Sequence, residues 1–197
     1  RLFGLTNPLM WATDGVRLKS DLLLEYIPTT TTMTDGRGNL WAYAYDLHGY
    51  ITKVTATDGA TTIFAYDPAT LLLASQADAN GHTTSYQYDA TGNLIQRTDA
   101  LGHVTAYTYE PVFSMMTSVT DPNGRTTTYQ YDSRGNRIRD TDPVGAIREW
   151  TYDSHGNVLT EQDKNGNVTT SQYDSAGNGT QMTDALGTVT TMTYDGV

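Results

Sequence analysis

Four histidines are the side chains whose spacing tests most directly for catalysis or metal binding, because imidazole acts both as a general base and as a metal ligand. They are His48, His82, His103 and His155. None belongs to an HExxH motif, to a pair with metal-ligand spacing or to a Ser-His-Asp grouping, and the chain has no cysteine. All four lie in or beside predicted turns. We therefore predict exposed turn histidines, no catalytic residues and no enzymatic activity.

An oxygen-rich stretch is the second candidate, as a calcium site. Asp163, Asn165 and Asn167 place oxygen-bearing side chains at alternate positions, as calcium loops do. The stretch lacks the bidentate Glu and the further carboxylates that tight binding requires, and Asp and Asn also occur in hairpin turns that hold no metal. We therefore predict no metal and no other cofactor, and keep a weak calcium site at these three residues as the alternative.

Aromatic side chains at alternate positions are the third candidate. Trp41, Trp150 and pairs such as Tyr107 and Tyr109 would share one face of a strand, where rings can stack on a sugar or on a partner protein. The same spacing serves cross-strand packing within a sheet. Packing is the favoured interpretation, and a carbohydrate- or receptor-binding surface is the alternative.

A repeat of 21 or 22 residues positions all of these side chains. The repeat is marked by a tyrosine that is followed by Asp in every copy except one, where Glu110 follows. The eight tyrosines are Tyr45, Tyr66, Tyr88, Tyr109, Tyr131, Tyr152, Tyr173 and Tyr194. The full motif Tyr-Asp-x-x-Gly-Asn occurs at Tyr88, Asp89, Gly92, Asn93; Tyr131, Asp132, Gly135, Asn136; Tyr152, Asp153, Gly156, Asn157; and Tyr173, Asp174, Gly177, Asn178, with Tyr45 and Asp46 opening an earlier copy.

Each repeat carries two turns, because a second marker, Asp-x-x-Gly, alternates with the first. Asp at the start of a turn can accept hydrogen bonds from backbone N–H groups two or three residues on, and Gly three residues later suits a left-handed position. Asp58-Gly59 is interpreted as a shortened second marker. The copies at residues 66–71 and 109–114 lack the glycine, so we predict a different turn shape there.

Segments with period two separate the turns, and no segment has a convincing helical period. The prediction is an all-β fold of tandem antiparallel β-hairpins, joined into one meander of about fifteen strands. Because a twisted sheet of more than about ten strands must curl, split or close, we expect a curved or spiralling ribbon, a segment of a hollow β-shell.

Two regions follow from the repeat. Residues 35–197 are assigned to the tandem repeats, and residues 1–34 to a divergent first repeat or a connection, with Tyr26 as a degenerate copy of the tyrosine marker. Since the final residues fall within a repeat, we expect the chain to be a segment of a longer polypeptide.

The charge excludes two classes of partner. Asp and Glu number 22 against 12 Lys and Arg, which gives a formal net charge of -10. Such a surface repels nucleic-acid phosphates and anionic lipid, so we predict no nucleic-acid binding. No apolar run approaches 18 residues, and we predict no membrane insertion by this segment.

The motif running from Tyr88-Asp89 to Asp99 and Gly102 resembles the YD-repeat, or RHS-repeat, family, over about residues 35–195. That family includes bacterial RHS polymorphic toxins, the B and C components of Tc toxins, wall-associated proteins and teneurins. The resemblance implies a long strand ribbon that spirals into a hollow shell, which in the bacterial members encloses a toxic C-terminal passenger. The self-cleaving region and the toxin domain of that family are not among these residues, so the resemblance assigns neither activity to this segment.

The functional prediction joins these points. The segment is expected to be a structural part of a bacterial shell, secreted or at the cell surface, whose partners are further repeats and the passenger of its own polypeptide. The alternative is an extracellular carbohydrate- or receptor-binding adhesion surface.

Overall fold

The computed structural model describes residues 17–18, 24–25 and 30–195, and within these ranges it contains strands and turns but no α-helix. No helix in the described ranges therefore has the length and apolar character needed to cross a membrane. Two short strands, β1 (Arg17–Leu18) and β2 (Leu24–Glu25), pair with each other. Most of the predicted divergent first repeat, including Tyr26, lies outside the described residues.

The remaining strands are five or six residues long, apart from the last, and follow one another through short turns. They are β3 (Thr30–Thr34), β4 (Leu40–Tyr45), β5 (Ile51–Thr55), β6 (Thr61–Tyr66), β7 (Leu73–Ala77), β8 (Thr83–Tyr88), β9 (Leu94–Thr98), β10 (Val104–Tyr109), β11 (Met116–Thr120), β12 (Thr126–Tyr131), β13 (Arg137–Thr141), β14 (Ile147–Tyr152), β15 (Val158–Gln162), β16 (Val168–Tyr173), β17 (Gly179–Thr183) and β18 (Val189–Thr191).

Strands β3–β18 form one open antiparallel sheet in which strand order follows chain order. The predicted meander of tandem hairpins is therefore confirmed, with sixteen strands in place of about fifteen. The described chain divides into two units: residues 30–88 with 97–103, which contain β3–β8, and residues 89–96 with 104–195, which contain β10–β18.

Six of the hairpins that follow a repeat tyrosine contain a β-bulge. Tyr131 pairs with Arg137, whereas the preceding Gln130 pairs with Arg139, so Ile138 has no residue opposite it. One extra residue bends the strand and increases its twist. The residues that occupy the same bulge in the other described hairpins are Thr52, Ala74, Thr117, Leu159 and Thr180.

The sheet has no buried core within residues 30–195, because every side chain there is half-buried or exposed. Contacts between strands in this range join neighbours in the sheet, so none of these strands packs on the sheet as a second layer. The free energy of folding must therefore come from cross-strand side-chain pairs, each contributing roughly 0.2–1 kcal/mol, and from turn hydrogen bonds.

Candidate functional site

The repeated turn is built around one aspartate carboxylate. In the turn at residues 89–93, Asp89 Oδ1 accepts the backbone N–H groups of Thr91 and Asn93, both at 2.9 Å, and the Thr91 hydroxyl at 2.7 Å. Asp89 Oδ2 accepts Asn93 Nδ2 at 3.0 Å. The pKa of Asp89 is lowered to about 2, because these donors favour the charged carboxylate. The Thr91 hydroxyl contributes most, followed by the side chain and the backbone of Asn93.

This geometry corrects the predicted donors. In the glycine-containing turns the carboxylate accepts N–H groups two and four residues on, not two and three, because the third N–H, that of the glycine, donates to the Asp carbonyl. The left-handed glycine itself is confirmed, since φ is 89° at Gly135 and 88° at Gly156. The motif aspartates that accept in this way are Asp46, Asp89, Asp132, Asp153 and Asp174, and the asparagines that donate Nδ2 are Asn93, Asn136, Asn157 and Asn178.

The second turns use the same carboxylate with various donors to Oδ2. His82 Nδ1 lies 2.9 Å from Asp78 Oδ2, and Arg125 Nε lies 2.7 Å from Asp121 Oδ2. Asp142 has Ala146 four residues on, which supplies no side-chain donor, and Lys164 Nζ from the next second turn binds Asp142 Oδ2 at 2.7 Å instead. In these three turns, residues of different types or positions therefore supply the donor to Oδ2.

The turn at Asp58-Gly59 is not shortened, contrary to the sequence interpretation. Its backbone bonds run from Ala56 N to Ala60 O, at 2.8 Å, and from Gly59 N to Ala56 O, at 2.9 Å, as in the other second turns. Ala56 occupies the position of the missing aspartate, and Asp58 Oδ1 accepts Ala60 N at 2.9 Å. Asp58, two residues after Ala56, thus supplies the carboxylate that accepts the Ala60 N–H group. In the other turns this N–H group donates to the carboxylate of the first residue.

The two turns without glycine differ from the others, as predicted. Each has six residues, 67–72 and 110–115, closed by Asp67 N to Leu72 O at 2.9 Å and by Glu110 N to Met115 O at 3.0 Å. The fifth residue of each is left-handed without being glycine: φ is 60° at Leu71 and 55° at Ser114. The extra residue thus moves the left-handed position one place along the turn.

In six of the repeats, the repeat tyrosine closes the unit with its hydroxyl group. Tyr152 OH donates to the carbonyl oxygen of Arg137 at 2.7 Å, 15 residues earlier, at the residue that follows the preceding tyrosine-side turn. Burial raises the pKa of Tyr152. The other tyrosine–carbonyl pairs with this spacing are Tyr66–Ile51, Tyr109–Leu94, Tyr131–Met116, Tyr173–Val158 and Tyr194–Gly179. These hydroxyl groups therefore bind backbone carbonyls of the same sheet.

The candidate aromatic surface around Trp150 is occupied by arginine. The Arg137 guanidinium lies 4.2 Å from the ring centre of Tyr129 and 5.7 Å from that of Trp150, and the Arg148 guanidinium lies 5.8 Å from the same Trp150 ring. Arg137 also forms an ion pair with Asp140. This ladder of cation–π contacts supports the packing interpretation for Trp150.

The histidines and the calcium candidate lie in turns. His48, His82, His103 and His155 are exposed, as predicted. Residues 30–195 contain no cluster of three or more His, Cys, Asp or Glu that could hold a metal ion. In the calcium candidate, Asp163 accepts the backbone N–H groups of Asn165 and Asn167 and the Asn167 side-chain amide, as in the other turns, and calcium binding there stays an untested prediction.

Comparison with known proteins gives a family and a fold. The family model RHS Repeat matches residues 66–104, 88–111, 115–147 and 152–189, which together cover more than half of the chain. No curated protein matches the sequence.

Several solved structures share the fold at low sequence identity. The crystal structure of TcdB2-TccC3-Cdc42 is 16% identical, with a TM-score of 0.61, over 83% of this chain and 11% of that one. The crystal structure of TcdB2-TccC3-TEV is 16% identical, with a TM-score of 0.60, over 80% of this chain and 10% of that one. The chain therefore spans about a tenth of the length of these structures.

Proposed function

Because this chain belongs to the RHS-repeat family, we propose that it is a passive wall segment of a secreted bacterial shell, which encloses a toxic passenger carried on its own polypeptide. The observation that carries the proposal is a sheet of sixteen strands in which no described side chain of residues 30–195 is buried. A single layer of this kind separates two compartments without a core of its own.

The turn chemistry supports a wall in preference to an enzyme. The carboxylates of the repeated turns accept two or three hydrogen bonds from their own turns, as Asp132 and Asp153 do. Groups held in this way stabilise backbone and are poorly placed to exchange protons with a substrate. We therefore propose that the segment has no catalytic role, and that its partners are further repeats and the passenger.

Deletion of two whole repeats tests containment. Removal of residues 132–173 from the full-length protein joins Tyr131 to Asp174, which restores the Tyr-Asp motif at the junction. The shortened wall should expose the passenger to limited proteolysis, whereas the intact protein should protect it. The matched control replaces His48 and His155 together by Gln and should leave both passenger activity and protection unchanged.

If the passenger is digested equally in the intact and shortened proteins, containment is wrong. An adhesion surface for carbohydrate or for a receptor then becomes the better assignment. One observation favours this second candidate: Val112 and Phe113 are 75% and 52% exposed and adjacent, at a turn that departs from the repeat. Binding of the isolated chain to host-cell glycans or membranes would support it.

A further inference from the structure

A groove lies beside turn 110–115, where residues of strands β12 and β13 also line it. It has a volume of about 550 Å³ and is open to solvent. Val112, Phe113 and Ile138 line its apolar side, and Glu110 and Asp132 are the charged residues among those that line it. A site that combines apolar walls with two carboxylates fits a side chain that has an aliphatic stem and a cationic end.

The exposed apolar tip is not needed for the turn itself. Turn 67–72 has the same closing hydrogen bond and the same left-handed fifth residue, but its tip contains Ala69 and Thr70 where turn 110–115 has Val112 and Phe113. Single apolar residues such as Leu101, Val144 and Leu186 are also exposed in other turns. Val112 and Phe113 differ because they are adjacent and line one groove together with Ile138, and a contiguous apolar surface indicates contact with something else.

The two carboxylates keep capacity for a further donor. Glu110 accepts the N–H groups of Val112, Phe113 and Met115, and Asp132 accepts those of Arg134 and Asn136 together with the Asn136 amide. A carboxylate has about four acceptor positions, so each retains about one. These hydrogen bonds lower the pKa of both carboxyl groups, and both groups are charged at neutral pH. The largest contribution comes from the Met115 N–H group for Glu110 and from the Asn136 side chain for Asp132.

Arg134 and Arg137 lie near the groove, and both are engaged elsewhere. Arg137 lies over the ring of Tyr129 and forms an ion pair with Asp140. Arg134 Nη1 donates to the carbonyl oxygens of Asp153 at 3.4 Å and Ser154 at 3.0 Å, in the next tyrosine-side turn. The groove therefore presents two negative charges beside an exposed aromatic ring, an arrangement that attracts a guanidinium group both by charge and by cation–π contact.

We propose that this groove binds an extended basic peptide segment, with an arginine side chain laid against Val112, Phe113 and Ile138 and its guanidinium group between Glu110 and Asp132. The site goes beyond the containment function and does not depend on it, since a wall needs no side-chain pocket on its edge.

The test uses the full 197-residue chain and a fluorescein-labelled peptide, Gly-Thr-Arg-Thr-Arg-Thr-Gly, followed by fluorescence anisotropy. The control peptide contains citrulline in place of both arginines, which keeps the shape and removes the charge. We expect saturable binding of the arginine peptide and binding at least about tenfold weaker for the citrulline peptide.

Two charge-neutral variants separate the groove from the general attraction of an acidic chain for a basic peptide. Val112→Ala with Phe113→Thr gives this turn the tip of turn 67–72, and Ile138→Thr introduces the residue that Thr52, Thr117 and Thr180 supply at the same bulge. Each should weaken binding by about tenfold. The control, Ala69→Ser with Thr70→Ser in the other turn, should bind like the wild type.

Folding of every variant is checked by its circular dichroism spectrum and melting temperature. Because one groove variant alters turn 110–115 and the other alters strand β13, misfolding of one leaves the other as a test. The proposal is overturned if the arginine peptide does not bind saturably to the wild type, or if it binds the folded groove variants and the wild type with equal affinity.

Discussion

Turns 67–72 and 110–115 reach the same backbone geometry with different side chains. In the first, Asp67 Oδ1 accepts the N–H groups of Ala69 and Thr70, and the Thr70 hydroxyl at 2.9 Å. In the second, a phenylalanine stands where Thr70 would be, and the longer side chain of Glu110 reaches three N–H groups between 2.7 and 3.1 Å.

The difference shows which parts of the turn are fixed. A carboxylate at the first position, a proline at the second and a left-handed fifth residue are common to both turns, whereas the third and fourth residues differ. The tip can therefore acquire another role without loss of the hairpin. The last residue of turn 110–115 also lies against the next turn, because a Cβ added at Gly135 would lie 2.8 Å from Met115 Cε.

Substitution of Gly135 tests that packing and has the largest expected effect on stability. Gly135→Val and Gly156→Val should each destabilise the protein by about 1–2 kcal/mol, since both residues have φ near 90°. A small excess is expected at Gly135, because only there must the new side chain displace Met115 Cε, the end of a flexible side chain. Urea unfolding measures both. In the double variant with Met115→Ala, the excess at Gly135 should disappear. Equal losses in the two single variants would show that turn 110–115 does not constrain its neighbour.

Substitution of Tyr131, the tyrosine that closes the hairpin after turn 110–115, should have the next largest effect on stability. Tyr131 OH donates to the carbonyl oxygen of Met116 at 2.8 Å, so Tyr131→Phe should lower the free energy of unfolding by about 1 kcal/mol. Tyr129→Phe, which keeps the ring against Arg137, is the control and should lose less. A loss that is no greater for Tyr131 than for Tyr129 would contradict the role of the hydroxyl.

Acid should weaken both turns. The pKa values of Asp67 and Glu110 are lowered, first of all by the N–H groups of Thr70 and Met115 respectively. A carboxylate with a lowered folded-state pKa stabilises the protein above its unfolded pKa, near 4, and this contribution is lost as pH falls through the folded value, about 2 for Asp89. The melting temperature should therefore be constant down to about pH 5 and fall below about pH 4.

The variant Glu110→Gln isolates the second turn in the same experiment. Its melting temperature should be lower than that of the wild type at neutral pH. The difference between the two melting temperatures, the gap, should narrow as pH falls, because protonation removes the same charge from the wild type. A gap that stays constant with pH would mean that the carboxylate charge does not stabilise turn 110–115.

The smallest effect is expected at the tip. Val112→Ala with Phe113→Thr should change the free energy of unfolding by less than about 0.5 kcal/mol, because both side chains are mostly exposed and turn 67–72 forms with Ala and Thr at these positions. Chemical denaturation measures the change. A much larger loss would indicate that the apolar tip serves the fold, and the comparison of the two turns would then fail.

The repeat can be predicted from the sequence because turns require particular residue types at fixed positions. Asp, Gly and Asn at fixed spacing located the hairpins, and the missing glycines at residues 66–71 and 109–114 located the two different turns. The order of the strands then followed, since short connections between antiparallel strands permit only neighbouring pairs.

The tyrosine–carbonyl bond and the bulge were missed, because their acceptor and their unpaired residue are backbone features that any residue type can supply. A signal for the first was nevertheless present. The aromatic position two residues before the repeat tyrosine varies, with Phe64, Trp150, Ser171 and Met192 among its occupants, whereas the repeat position is tyrosine in all eight copies. Strict use of tyrosine with no phenylalanine indicates a role for the hydroxyl group. No sequence pattern predicts the groove at turn 110–115, since residues from three separate segments form it.

The 15-residue span of the tyrosine–carbonyl bond has a consequence for the order of assembly. Each such bond joins residues that are close in sequence, and so does each strand pair, so the fold has a low contact order. A chain of this kind needs no distant partner to complete a hairpin. We expect it to form unit by unit from its N-terminal side while it is still being synthesised or exported, each new tyrosine fixing the hairpin just made before the next one emerges.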